Sequence, residues 1–127
     1  MPALNRIPAT RIVATPAALD AAVWPDGALV FRIAPDEVLV TPPLSAVTLD
    51  DPHAIVVSEG GFAGTWMAVD EALAVLERHC EWELPSERPA FAQGTVAGIP
   101  AKVWLEKDRV LFLVPTPFVS DLEERLL

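Results

Sequence analysis

At 127 residues the chain has the length of one domain, enough to bury a core without disulfide or metal staples. It is 52% hydrophobic with a mean hydropathy of +0.37, yet no apolar run approaches the width of a bilayer. Eighteen acidic against nine basic side chains give a formal net charge of −9. That excludes a phosphate-neutralising nucleic-acid binder and disfavours an anionic membrane surface.

The first dozen or so residues alternate Pro, Ala, Thr and Arg without a clear period, and residues 1–25 read as an N-terminal arm, partly mobile. Met1 to Thr15 lacks a continuous apolar stretch and a small-residue cleavage site, so no signal peptide is read. The single cysteine, Cys80, fits a reducing cytoplasm, the expected location. Residues 26–127 read as a single α+β domain.

Within it, Ala28 to Ile33 and Val38 to Thr41 are β-rich runs flanking a turn at Pro35 and Asp36, a hairpin pattern. A loop at 42–52 follows. His53 to Ser58 and Phe62 to Ala68 then read as a second hairpin around Gly60 and Gly61, where glycine would supply positive φ. Val69, Ala72, Leu73, Leu76 and Cys80 recur at helical spacing, predicting a helix over 69–80 with Asp70 at its positive end. Residues 92–97, 100–105 and 109–114 predict a three-stranded meander. Thr116 and Pro117 predict the start of a C-terminal helix, with Thr as N-cap and Phe118, Leu122 and Leu126 facing the sheet. The order is ββ-ββα-βββα, a mainly antiparallel sheet with two helices on one face.

The residues of the usual chemistries do not converge. His53 and His79 are the only histidines, and neither sits at a zinc-ligand spacing. Cys80 falls at the acidic C-terminal end of its helix, which opposes thiolate formation and favours a core role. Ser58 to Gly64 is glycine-rich but precedes a strand and lacks a following Lys-Ser/Thr, so it is no phosphate loop. From Asp50 to Glu87 there are nine acids against Arg78, which reads as a solvated face. No catalytic residue, cofactor site or metal site is assigned, and the chain is expected not to be an enzyme. Trp24 and Trp82 lie in connectors beside Pro25 and within Glu81-Trp-Glu83, and are the candidates for a partner surface.

From Arg32 onward the chain resembles the gamma subunit of heterotetrameric sarcosine oxidase, a relative of the folate-binding aminomethyltransferases of glycine cleavage. Four blocks carry the resemblance: Arg32-Ile-Ala-Pro-Asp-Glu-Val-Leu-Val40, His53-Ala-Ile-Val-Val57, the helix from Asp70 ending in Cys80-Glu-Trp-Glu-Leu84, and Phe91 to Val103 followed by Leu111-Phe-Leu-Val-Pro115 and Phe118. These are mostly turn and core residues, so they speak to fold more than to function. The resemblance implies half of an aminomethyltransferase-type domain. It also implies a non-catalytic accessory subunit of a sarcosine-oxidase-like flavin oxidoreductase or C1-transfer complex. Its partner is then a larger subunit of such a complex, or a homo-oligomer, with the flavins and other cofactors held elsewhere. The alternative is a stand-alone small-ligand module keeping a folate-type pocket. For its anionic tail Arg32, Lys102 and Arg109, near Phe31, Trp104 and Phe112, are the strand-borne candidates.

Overall fold

The computed structural model describes residues 3–126. The chain is α+β with two antiparallel sheets and three α-helices among the described residues. It forms two compact units: Ile7–Gly60 make one, and the segment up to Arg6 joins Gly61 onward in the other.

The Ile7–Gly60 unit holds strands β2 (Ala9–Val13), β3 (Leu29–Ala34), β4 (Glu37–Thr41) and β5 (Ile55–Glu59), in spatial order β3-β4-β2-β5. Residues expected as an arm thus supply an interior strand, β2, which pairs antiparallel with β4 on one side and β5 on the other. They also supply helix α1 (Pro16–Ala21). Thr15 caps that helix by accepting from the Ala18 N–H at 3.2 Å, and Pro16 sits where a missing N–H costs nothing. Ala18 and Leu19 pack with Ile12, Ala14, Val38 and Val40 into a small core. Neither element has a legible period, because β2 buries Ala9, Thr10 and Ile12 and α1 makes less than two turns. The only buried polar residue on β2, Thr10, accepts from the Leu44 N–H at 2.8 Å and holds the loop after β4.

The second unit begins with β1 (Asn5–Arg6) and continues with β6 (Phe62–Ala68), α2 (Val69–His79), β7 (Ala90–Val96), β8 (Ile99–Leu105), β9 (Arg109–Pro115) and α3 (Val119–Arg125). Its strand order is β1-β6-β9-β8-β7, antiparallel throughout. Ala72 and Leu76 of α2 and Leu122 of α3 join Met67, Val96, Val103, Val110, Phe112 and Val114 in one core, so both helices cover one face of this sheet. The meander and the first hairpin stand where the sequence places them.

The second hairpin does not form. β5 pairs with β2, and β6 pairs with β1 and β9, so the two runs belong to different sheets. Gly60 and Gly61 do not adopt the positive φ of a tight turn; among the described glycines only Gly27 and Gly98 do. Two further details differ from expectation. Leu73, assigned to the buried face of α2, is 37% exposed. Thr116–Phe118 forms a 3-10 turn, so α3 starts at Val119 without a side-chain cap and leaves Phe118 exposed.

The β7–β8 turn fastens both helices. Ala97 and Gly98 have φ of 53° and 78°, the left-handed pair that a two-residue hairpin requires. The Ala97 N–H donates to the His79 carbonyl at the end of α2, and Arg125 of α3 donates to the Ala97 carbonyl, both at 2.8 Å. An added Cβ at Gly98 would sit 3.2 Å from the Arg125 guanidinium. Gly98→Ala is expected to cost about 1–2 kcal/mol through left-handed backbone strain, read as a lower midpoint in urea unfolding followed by circular dichroism.

Candidate functional site

The three basic residues proposed for an anionic ligand are each engaged within the fold. Arg32 donates to Asp20 at 2.9 Å and to the carbonyls of Pro35 and Pro16 at 3.0 and 3.3 Å, tying α1 to the β3–β4 turn. Arg109 donates to Glu106 at 2.8 Å and lies 3.7 Å from the centre of the Trp66 ring. Lys102 donates to Gln93 at 3.2 Å and lies 5.4 Å from the Phe62 ring centre. Lys102 pairs with Leu113, four residues along β9 from Arg109, so the two cations share a face but stand roughly 13 Å apart along the strand. They do not form one anion site. Lys102 lines a cavity, of about 310 Å³, with Phe62, Gln93, Thr95, Pro100 and Pro115.

Around Arg109 a polar network closes the β8–β9 turn. The Trp104 indole N–H and the Arg109 guanidinium each donate to one oxygen of Glu106, both at 2.8 Å. Burial would raise the Glu106 carboxyl, but these two donors and the Arg109 charge outweigh it and hold the group below its ordinary value. In the other unit Asp51 is likewise lowered, by accepting the His53 and Thr15 backbone N–H groups at 2.9 and 3.0 Å.

The two tryptophans proposed for a partner surface have different surroundings. Trp24 packs half-buried against the small core of Ile12, Ala18 and Val38 and completes that core. Trp82 is built into a surface. After α2 ends, Cys80 donates its N–H to Leu76 at 2.8 Å and its thiol to the Trp82 carbonyl at 3.4 Å. This directs the connector back along β7. The Trp82 ring lies on Gly94, where an added Cβ would come 2.6 Å from the indole, and its N–H donates to the Thr95 carbonyl at 2.8 Å. A glycine inside a strand marks such a close approach, and Gly94 is the signal in the sequence that could have located this seat.

Held this way, Trp82 stands between two concavities. One, of about 320 Å³, is lined by Leu73, Leu76, Glu77, Cys80 and Leu84. The other, of about 540 Å³, runs along Glu83 to Glu87 and reaches Ala92 and Gln93. Glu77 lines the first and Glu83 and Glu87 line the second, with Glu81 adjoining Trp82 in the chain and Arg78 and Arg88 as the nearby bases in sequence. The exposed Leu73 opens onto the first concavity, which gives its departure from the buried face a place in the surface. The arrangement offers a rigid aromatic and aliphatic floor inside a rim of negative charge.

In the other unit a shallow concavity of about 520 Å³ is lined mainly by Ala18, Ala21, Ala22, Val23 and Val47, and Asp50 is its one charged group. Among the described residues no group of three or more His, Cys, Asp or Glu side chains is placed to hold a metal ion. No helix among them is long and apolar enough to cross a membrane. No protein-family model matches the chain, and no curated protein matches it.

Two outcomes test this geometry. Gly94→Ala is expected to destabilise by about 1–3 kcal/mol through overpacking against the indole, and by much less in a Trp82→Ala background. Glu106 titrates lower in the folded chain than in the unfolded one, so its stabilising contribution is present above the ordinary carboxylate range and fades as pH falls through the folded value. Glu106→Gln should therefore be less stable than the parent at neutral pH. The gap should narrow as unfolding midpoints are measured at progressively more acidic pH.

Proposed function

We propose that the chain is a non-catalytic accessory subunit, of the sarcosine-oxidase-gamma type, that docks on a larger flavin oxidoreductase or C1-transfer subunit. The observation that carries this reading is Trp82, fixed by Gly94 and Thr95 between two concavities with an acidic rim. Interfaces draw their energy from a few rigid aromatic anchors beside apolar pockets, and a pre-ordered side chain loses little entropy on binding. The resemblance of the blocks from Arg32 to Phe118 to the gamma-subunit family supplies the class of partner. The acidic rim favours a partner surface of basic and aliphatic residues.

A second reading is favoured by the cavity at Phe62 and Lys102. An ammonium group, the Gln93 amide and the Thr95 hydroxyl beside a ring suit a small aromatic anion such as a folate-type ligand.

Affinity capture of the tagged chain from its native host, with mass spectrometry and flavin absorbance as readouts, separates the two. The accessory reading expects a flavin-bearing or aminomethyltransferase-like chain in the eluate. It also expects Leu73→Lys with Glu77→Lys to reduce recovery at least ten-fold, equivalent to about 1.4 kcal/mol. An empty eluate from the parent chain, with calorimetric binding of a folate derivative that Lys102→Ala removes, would replace it with the ligand module.

A further inference from the structure

The groove beside Trp82 has walls of two kinds. On one side α2 contributes Leu73, Leu76 and Glu77, spaced three and four residues apart along one face of the helix. On the other the connector contributes the alternate residues Cys80, Trp82 and Leu84, while Glu83 between them lines the second concavity. The two concavities differ in character: three leucines line the first, and Glu83 and Glu87 put two acids along the second. Among the described residues no base forms an ion pair with Glu77, Glu81, Glu83 or Glu87, whereas Asp20, Glu37 and Glu106 each have an arginine. Arg88, beside Glu87 in the chain, donates to the Pro85 and Glu87 backbone carbonyls, both at 2.7 Å. The acids around this groove are therefore not compensated within the fold.

We propose, building on the docking reading above, that the groove receives an amphipathic helix of the larger subunit, with an aliphatic residue and an arginine one turn apart on the face it presents. A partner could also add a strand to this end of the sheet, since β7 is its edge. Trp82 blocks that route: its indole lies over Gly94 and its N–H already occupies the Thr95 carbonyl. Recognition through side chains remains, and a helix offers side chains from a backbone whose hydrogen bonds are internal. Residues one turn apart stand on the same face, so both reach the groove together. The aliphatic residue enters between Leu73 and Leu84, and the arginine crosses Trp82 toward Glu83 and Glu87. Arginine suits that place better than lysine, because a guanidinium stacks on an indole while it pairs with a carboxylate. The fold already makes this arrangement once, where Arg109 lies 3.7 Å from the Trp66 ring centre and donates to Glu106. The occupant is thus complementary to the groove in both hydrophobicity and charge.

The probe is a covalently stabilised helical peptide of about 14 residues, with Leu and Arg at i and i+4 on one face, titrated into the full nitrogen-15-labelled chain. The indole N–H of Trp82 is the reporter, assigned among the four tryptophans by its loss in Trp82→Phe. That resonance and the amides of Leu73, Glu77 and Leu84 are expected to shift, with a Kd of about 100 µM at low salt that weakens as salt is added. Glu83→Lys with Glu87→Lys should weaken binding at least ten-fold with unchanged circular dichroism. Asp26→Lys with Asp36→Lys makes the same change in net charge at exposed positions of the other unit and should leave the Kd within about two-fold. A peptide with Glu in place of its Arg should not bind. A Trp82 resonance that the peptide leaves unmoved overturns the proposal, as does binding weakened equally by the two double variants. Capture from the native host separates this outcome from the docking reading. A flavin-bearing chain still recovered with Glu83→Lys and Glu87→Lys overturns the helix and keeps the docking. An empty eluate from the parent chain, with the peptide bound at Trp82, keeps the helix groove and overturns the docking.

Discussion

The pairing of β6 with β9 is the constraint on which the larger unit depends. It runs without a break from Phe62 opposite Pro115 to Ala68 opposite Arg109. Every residue between these strands, including all of α2 and the β7–β8 hairpin, forms a loop that this register closes. The topology of this unit therefore rests on a long-range contact. Once it is made, α2 starts directly from the end of β6, with the Val69 N–H donating to the Asp108 carbonyl at 3.1 Å. The β7–β8 turn then receives the ends of both helices, through His79 and Arg125. The core beneath the helices is a result of that register, since Met67, Val110, Phe112 and Val114 reach one face only if β6 and β9 are in phase.

The same logic operates on a smaller scale in the other unit, where β2 takes the central place between β4 and β5. Here the loops are held by side chains rather than by length. Thr10 fixes Leu44, and Asp51 gathers the N–H groups of Thr15 and His53. A sheet of four short strands gains little from burial alone, so these polar contacts between loops and strands carry much of its local order.

What the sequence made legible follows from the range of the interactions involved. The β3–β4 hairpin, α2 and the meander are local, and their signals lie within a few residues of one another. Pairing of β5 with β2, and of β6 with β9, depends on partners far along the chain, and Gly60-Gly61 imitated a turn because glycine pairs serve joins of every kind. The Thr-Pro pair at Thr116 predicts a helix start but opens a 3-10 turn, whereas the same pair at Thr15 caps a true helix. The lesson at the site is similar. Its place in a connector marks Trp82 as a candidate in the sequence, but its seat on Gly94 depends on the connector returning along β7. The basic residues were named for their charge, and the structure gives each a neighbour: Asp20 for Arg32, Gln93 for Lys102 and Glu106 for Arg109.

The chain passes between its units twice, after Arg6 and after Gly60, so the Ile7–Gly60 unit is an insertion within a strand pair of the other. Asn5 and Arg6 of β1 lie opposite Gly64 and Ala63 of β6. Joining Arg6 to Gly61 would leave Gly61 and Phe62 between the paired residues Arg6 and Ala63, the length of a tight hairpin turn. The topology of the larger unit is thus complete without the segment it encloses. In architectural terms the protein is a host fold and a guest, with the seam at a point where a two-residue link would heal the host.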